Sequence, residues 1–376
     1  MKRTIALMAL LCALPLSARA DELDGDVLYR MVDVSGQSVM SLDGRIYEGD
    51  EYISGDNQLY VVISVDDSAR QAVAMPMGAE PAYDADRARA VFASADKKDS
   101  ADKKDSAEDD GRKLIAMYST HSDESYENGD GAASLAKNAG IYDVDRALKK
   151  ALEEKGVTVE LSTTTHLPHD TKAYSRSRRT AEELLKLAPD ALLDIHRDGI
   201  PDESEYETEV DGEETSKVRL LVGRSNPNAD ANREFAKQIK ATADEKYDGL
   251  IKDIFIGKGN YNQELYPRSI LLEFGTHTLD KELAIDATGY MADVLTTVLY
   301  GDSASAEGEG AKSAKGAGSG VFWAIFIVAL AGIVYALAST GTLKNLGAKI
   351  AGGASELTGG LIGKRNRDGE SGKKDE

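Results

Sequence analysis

The sequence predicts an α/β fold: a mostly parallel sheet flanked by helices, preceded by a small all-β module and followed by a single transmembrane helix. Three observations carry this. Short apolar runs in the middle of the chain, Leu114-Ile-Ala-Met-Tyr-Ser-Thr-His121, Ala191-Leu-Leu-Asp-Ile-His196 and Ser269-Ile-Leu-Leu-Glu273, read as buried strands. Helix-like stretches separate them, and strand alternating with helix implies right-handed crossovers and a parallel sheet. Each run ends at or near a residue able to bind a metal, and open α/β sheets place ligands outside the carboxyl ends of their strands.

Taken in order, Met1-Lys-Arg, an apolar stretch from Ile5 to Leu16 and Ala18-Arg19-Ala20 read as an export signal over residues 1–20. Residues 21–92 are strand-like and turn-rich. Runs such as Asp26-Val-Leu-Tyr-Arg-Met-Val-Asp33, Gln37-Ser-Val-Met-Ser-Leu42 and Tyr60-Val-Val-Ile-Ser-Val65 are separated by Ser-Gly and Asp-Gly pairs, which predict hairpins. This β-rich module carries no catalytic constellation and reads as a spacer or docking domain. Residues 93–111 contain a direct repeat, Ala95-Asp-Lys-Lys-Asp-Ser100 and Ala101-Asp-Lys-Lys-Asp-Ser106, too polar to bury a core, and read as a solvated linker.

The catalytic-type domain, residues 112–300, follows. After its first strand, residues 133–155 read as a helix with Ile141, Val144, Ala147, Leu148 and Ala151 on one stripe. Val157-Thr-Val-Glu-Leu161 is a second strand, residues 181–187 a helix, Ala191 to His196 the third strand and Lys217-Val-Arg-Leu-Leu-Val-Gly223 the fourth. Residues 231–247 make a longer helix, 269–274 a further buried strand and 280–299 a closing helix. The acidic run 202–214 reads as a solvated loop. Residues 301–320 are a Gly/Ala/Ser linker. Residues 321–338 carry no charge, and as a helix they would be roughly 27 Å long, about a bilayer core. They read as a membrane anchor that leaves the domain extracytoplasmic and the tail 339–376, with Lys344, Lys349, Lys364, Arg365 and Arg367, cytoplasmic.

Composition narrows the chemistry. The net charge is -20, from 45 basic and 65 acidic residues, which argues against a nucleic-acid partner because phosphate neutralisation needs a basic surface. The one cysteine, Cys12, lies inside the export signal, so any transition metal must be held by histidine and carboxylate. Two histidines and a carboxylate with a second carboxylate nearby match what a catalytic zinc requires: three protein ligands, an open position and a base. Residues His121, Glu124 and His196, with Glu273, supply that set.

The segments Ser119-Thr-His-Ser-Asp-Glu-Ser-Tyr126, His169-Asp170, Ala173-Tyr-Ser-Arg-Ser-Arg178, Asp194-Ile-His-Arg-Asp198, Val222-Gly-Arg-Ser-Asn-Pro-Asn228, Tyr261-Asn-Gln263 and Leu271-Leu-Glu-Phe-Gly275 resemble, in order, the stage II sporulation protein P family. The stretch Gly44-Arg-Ile-Tyr-Glu-Gly-Asp-Glu-Tyr-Ile-Ser54 resembles the region preceding that family's domain. The resemblance implies a membrane-anchored zinc N-acetylmuramoyl-L-alanine amidase acting on peptidoglycan. His121, Glu124 and His196 would hold Zn²⁺, Glu273 would be the catalytic carboxylate, and a lytic transglycosylase of the stage II sporulation protein D type would be a partner. The anchor's place differs, since familiar members carry it at the N-terminus.

Other residues leave alternatives open. His169, with Asp170, reads as a substrate-side residue or one supporting the ligands, or else as loop chemistry, and Arg197 as an orienting residue or half of a salt bridge with Asp198. Asn262 and Gln263 read as substrate-amide binders or polar loop. His166 and His277 read as surface or loop residues. A zinc carboxypeptidase or endopeptidase acting on wall peptides is a second reading, in which Arg176, Arg178 and Arg197 would grip a terminal carboxylate. A non-catalytic, membrane-tethered wall-binding scaffold is a third.

Overall fold

The computed structural model describes residues 27–80 and 112–301, with positions 83 and 91. The segments read as export signal, linkers (beyond Gly301) and membrane anchor lie outside the described residues. Among the described residues no helix is long and apolar enough to cross a membrane.

Among the described residues, thirteen strands and four long helices follow the alternation the sequence predicts. The strands are β1 (Leu28–Asp33), β2 (Ser38–Asp43), β3 (Glu51–Ser54), β4 (Gln58–Asp66), β5 (Gln71–Ala79), β6 (Leu114–Tyr118), β7 (Thr158–Leu161), β8 (Ala191–Asp198), β9 (Glu207–Val210), β10 (Glu213–Ser216), β11 (Val218–Gly223), β12 (Ile251–Gly257) and β13 (Ser269–Thr276). The helices are α1 (Ile141–Glu154), α2 (Ala173–Leu185), α3 (Ala229–Lys246) and α4 (Lys281–Tyr300). Eleven strands form one sheet in the order β2-β1-β5-β4-β3-β12-β11-β13-β8-β6-β7, and β9 with β10 makes a separate hairpin.

In the α/β part, the pairs β12/β11, β13/β8, β8/β6 and β6/β7 are parallel and β11/β13 is antiparallel. The exception has a simple cause. Residues 258–268, between β12 and β13, contain only a short 3-10 turn, too little for the crossover that a parallel return needs. The N-terminal strands join the same sheet, because β3 pairs antiparallel with β12.

The period-2 alternation of the strands decides what lies where. Leu193 and Ile195 of β8, Leu220 and Val222 of β11 and Ile270, Leu272 and Phe274 of β13 form one core with the apolar stripes of α1, α3 and α4. The intervening residues therefore face the other way: Asp194, His196, Asp198, Arg219 and Glu273. Part of that second face is covered by α2, through Ala181 and Leu184 against Ala116 and Leu192, and part by the β module, through Met31, Leu42, Ile46 and Tyr52 against Leu221, Phe255 and Leu271.

Four details differ from the sequence reading. Residues 133–140 are not helical; they wrap the segment 123–125, with Ser125 N–H donating to Ala133 O and Leu135 N–H to Asp123 O. Helix α2 starts at Ala173, eight residues before the apolar signal that marked it. The strand β12 was hidden by Lys252 and Asp253, whose charges are paired in the interior. The acidic run forms the β9–β10 hairpin, with Tyr206 and Val210 buried.

Candidate metal centre

His121 and Glu124 leave the end of β6 on one tight turn, closed by Glu124 N–H donating to His121 O at 3.2 Å. His196 comes from β8. One ligand atom from each of the three lies within 4.8 Å of the others, the one such group among the described residues. Glu124 Oε1 sits 3.0 Å from His121 Nδ1 and 3.1 Å from His196 Nδ1. Its other oxygen accepts the Arg197 backbone N–H at 2.9 Å, which fixes the carboxylate plane and leaves Oε1 to the imidazoles.

His196 is held from behind. Its Nε2 lies 2.9 Å from Asp194 Oδ1, and Asp194 also accepts from Thr120 N–H at 2.8 Å and Thr120 Oγ1 at 2.6 Å. Ser177 Oγ, 2.8 Å from Thr120 Oγ1, and Asn262 Nδ2, which donates to Ser177 at 3.1 Å, extend this chain. A carboxylate behind a ligating imidazole fixes its tautomer and raises its basicity. Sequence reasoning left Asp194 without a role. The signal was there: two residues before His196, it shares that residue's face of the strand.

The electrostatics test whether a cation fits. Burial opposes a charge on His196, yet Asp194 and Glu124 outweigh it and hold this imidazole well above its ordinary range. Burial likewise opposes charge on Glu124, and His196 with the hydrogen bond from His121 keeps it well below the carboxylate range. His121, more affected by burial than by its bond to Glu124, is pushed down to about 4 and stays neutral. With Nε2–H donated to Asp194, a neutral His196 would turn its Nδ1 lone pair on Glu124 Oε1 at 3.1 Å. Lone pair against carboxylate is tolerable only with positive charge between them. A proton supplies it here, and a divalent cation would supply it too if held by His121, Glu124 and His196, whose nitrogen and oxygen donors are of the kind zinc prefers.

Glu273 is adjacent. It pairs in register with His196 across β13/β8, and with Arg219 across β13/β11. Arg219 is in turn the partner of Asp253 across β11/β12, so His196, Glu273, Arg219 and Asp253 form one row across four strands. Burial pushes the Glu273 carboxyl up to about 8, helped by Asp198 and opposed by Arg219 and His196.

The remaining residues singled out in the sequence divide. His169 reaches the site: its ring stacks on His121 at 4.0 Å between centroids, and Nδ1 lies 3.1 Å from Asp123 Oδ1. Arg197 spends its side chain on the carbonyls of Ser125, Asp198 and Ala133. Asn262 and Gln263 are buried clamps, Asn262 on Tyr174 O and Ser177, Gln263 on Gly223 N–H and Leu221 O. His166 is buried rather than on the surface, between Ser119 O at 2.9 Å and Thr180 Oγ1 at 2.8 Å. The arginines a carboxypeptidase would need are engaged elsewhere, Arg176 with His166 O and Asp170, Arg178 with Glu182 and Glu264.

Residues 51–296 match the family described as stage II sporulation protein P. The stage II sporulation protein P of Bacillus subtilis (strain 168) is 27% identical over 208 residues, covering 50% of this chain and 52% of that protein. The chain thus spans about half the length of the curated relative it matches. Among solved structures, the N-acetylmuramoyl-L-alanine amidase AmiC2 of Nostoc punctiforme is 14% identical with a TM-score of 0.32, over 50% of this chain and 94% of that one. An N-acetylmuramoyl-L-alanine amidase from Clostridium difficile 630 is 17% identical with a TM-score of 0.32, over 50% and 94%. Similarity that low establishes nothing further by itself. The family match covers more than half of the sequence and takes in β3 as well as the strands that carry His121, Glu124 and His196, and on it the chain belongs to the stage II sporulation protein P family.

Proposed function

We propose that this protein is a zinc-dependent N-acetylmuramoyl-L-alanine amidase, which hydrolyses the amide between N-acetylmuramic acid and the L-alanine of the stem peptide. The observation that carries this reading is the convergence of His121, Glu124 and His196 within 4.8 Å, beside a buried carboxyl in the adjoining register position. Zn²⁺, when bound, supplies Lewis acidity and water acidified towards a pKa of about 7. His121, Glu124 and His196 hold it, and Asp194 orients His196 from behind.

Glu273 does the proton work. Its carboxyl takes a proton from the water that adds to the amide carbonyl, then returns it to the departing nitrogen, so a free L-alanine amino terminus forms. A raised proton affinity suits that second transfer, and a cation at the neighbouring site would lower it in the direction the first requires. The engagement of Arg176, Arg178 and Arg197 with the protein's own groups favours the amidase over the carboxypeptidase reading. The reading includes export, anchoring by residues 321–338 and a role in wall remodelling alongside a transglycosylase.

Incubating the zinc-loaded protein with peptidoglycan tests it. New L-alanine amino termini on released stem peptides are expected, and they vanish with His196→Ala. Shortened peptides still attached to glycan would assign the carboxypeptidase activity instead, and no product from zinc-loaded protein would remove the hydrolase reading.

A further inference from the structure

Glu273 is held asymmetrically. Its polar partners among the described residues all meet Oε2: Tyr206 Oη at 3.3 Å and Arg219 Nη1 at 3.7 Å. The single hydroxyl proton of Tyr206 lies nearer Asp198 Oδ2, at 2.7 Å, and is shared between the two carboxylates. The Arg219 guanidinium is fully buried, hydrogen-bonds three groups and faces a fourth. Nε and Nη2 grip Asp253 at 2.8 and 3.1 Å, and Nη1 donates to Asp198 at 2.7 Å while facing Glu273. The other Nη2 proton goes to Ser41 O at 3.1 Å.

That last contact crosses from the α/β part into strand β2 of the N-terminal module. A second contact sits beside it: the side chain of Asp43 packs so closely on Gly199, one residue past β8, that any Cβ there would meet Asp43 Oδ2 at 1.7 Å. Asp253, gripped by two of the guanidinium nitrogens and shared with Lys252 at 3.3 Å, leaves Nη1 and one Nη2 proton over. The surplus donors aim at Asp198, at the oxygen of Glu273 and at the module.

We propose that Tyr206 and Arg219 are positioning residues for the proton-transferring carboxylate, and that the β module completes their setting by supplying Ser41 O. One oxygen of Glu273 faces both groups and the other is left for the reaction. A module that shows no chemistry of its own thus helps shape the site. The inference rests on Glu273 being the group that moves the proton.

The test uses the full chain, loaded with Zn²⁺, on a soluble muropeptide, with kcat, KM and zinc stoichiometry measured for Tyr206→Phe and Arg219→Lys. Removing the tyrosine hydroxyl is expected to lower kcat about tenfold or more, leaving KM within about twofold and bound zinc unchanged. Arg219→Lys keeps the charge but cannot hold Asp253, Asp198 and Ser41 O while facing Glu273, as a planar fork does; kcat falls similarly. In the metal-free protein the same variant should also speed amide hydrogen exchange over residues 38–43, with α3 unaffected.

Folded variants whose kcat stays within about twofold of wild type would overturn the positioning claim, as would a matching loss of zinc, which would place the damage in the metal centre. Unchanged exchange over β2 would overturn the module's part. If wild type itself releases no new amino termini, the amidase reading fails, while the exchange experiment still decides the link between Arg219 and the module.

Discussion

Asp194→Asn isolates the carboxylate behind His196 without altering any ligand. In the wild-type protein Asp194 accepts three hydrogen bonds, from His196 Nε2, Thr120 N–H and Thr120 Oγ1. Asparagine keeps the shape and one acceptor oxygen but presents an NH₂ on the other side. If that amide faces His196, Nε2 must become an acceptor, and the proton moves to Nδ1, the atom that faces Glu124. If the amide oxygen faces His196, the tautomer survives but the negative charge that makes the ring a strong donor is gone. Either way zinc affinity drops. Loss of such an outer carboxylate costs about 10–100-fold in metal affinity, or about 1.4–2.7 kcal/mol. Competition against a chelator of known strength measures it, and excess zinc should restore activity with KM unchanged. A zinc affinity equal to wild type in a folded Asp194→Asn protein would refute the argument that His196 binds through Nδ1 with Asp194 behind it.

Other variants separate the centre from the scaffold. Glu273→Gln should retain zinc and lose about 10²–10⁴-fold in kcat, as expected for a general acid–base group, read by amino-terminus release. Asp145, buried on α1 with Ser119 Oγ at 3.0 Å, is pushed by burial from an ordinary 3.8 up to about 8. A carboxyl whose folded-state value is raised contributes stability that is complete below its unfolded value and lost as pH rises through the folded one. Asp145→Asn should therefore be close to wild type below about pH 4 and increasingly more stable than wild type as pH rises from there to about 8, the full difference being present at pH 9, in urea unfolding of the metal-free protein. Leu272→Ala removes a fully buried β13 side chain from the core under α3 and α4 and should cost about 2–5 kcal/mol in the same assay, without changing zinc stoichiometry.

Much of this was legible in the sequence because strands of a buried parallel sheet leave a simple mark. The apolar runs ending at His121, His196 and Glu273 became β6, β8 and β13, and the residues at their ends meet where ligands of such sheets gather. What the sequence hid has physical reasons. The strand β12 contains Lys252 and Asp253, whose charges belong to a buried network that no local pattern reveals. The fully buried Arg219 looked like an ordinary charge in an apolar run, since its partners lie on β8, β12 and β2, far away in sequence. The acidic hairpin looked solvated because Tyr206 is one aromatic among many carboxylates, and only the fold brings its hydroxyl to Asp198 and Glu273. Asn262 and Gln263 show the converse: polar side chains in a loop can be structural clamps.

The most direct measurement is the zinc content of the purified full chain beside His196→Ala and Glu124→Gln. One tightly held zinc per wild-type chain, absent from both folded variants, is the expected result. Zinc bound equally well by all three proteins, or by none of them at saturating metal, would contradict a centre built from His121, Glu124 and His196.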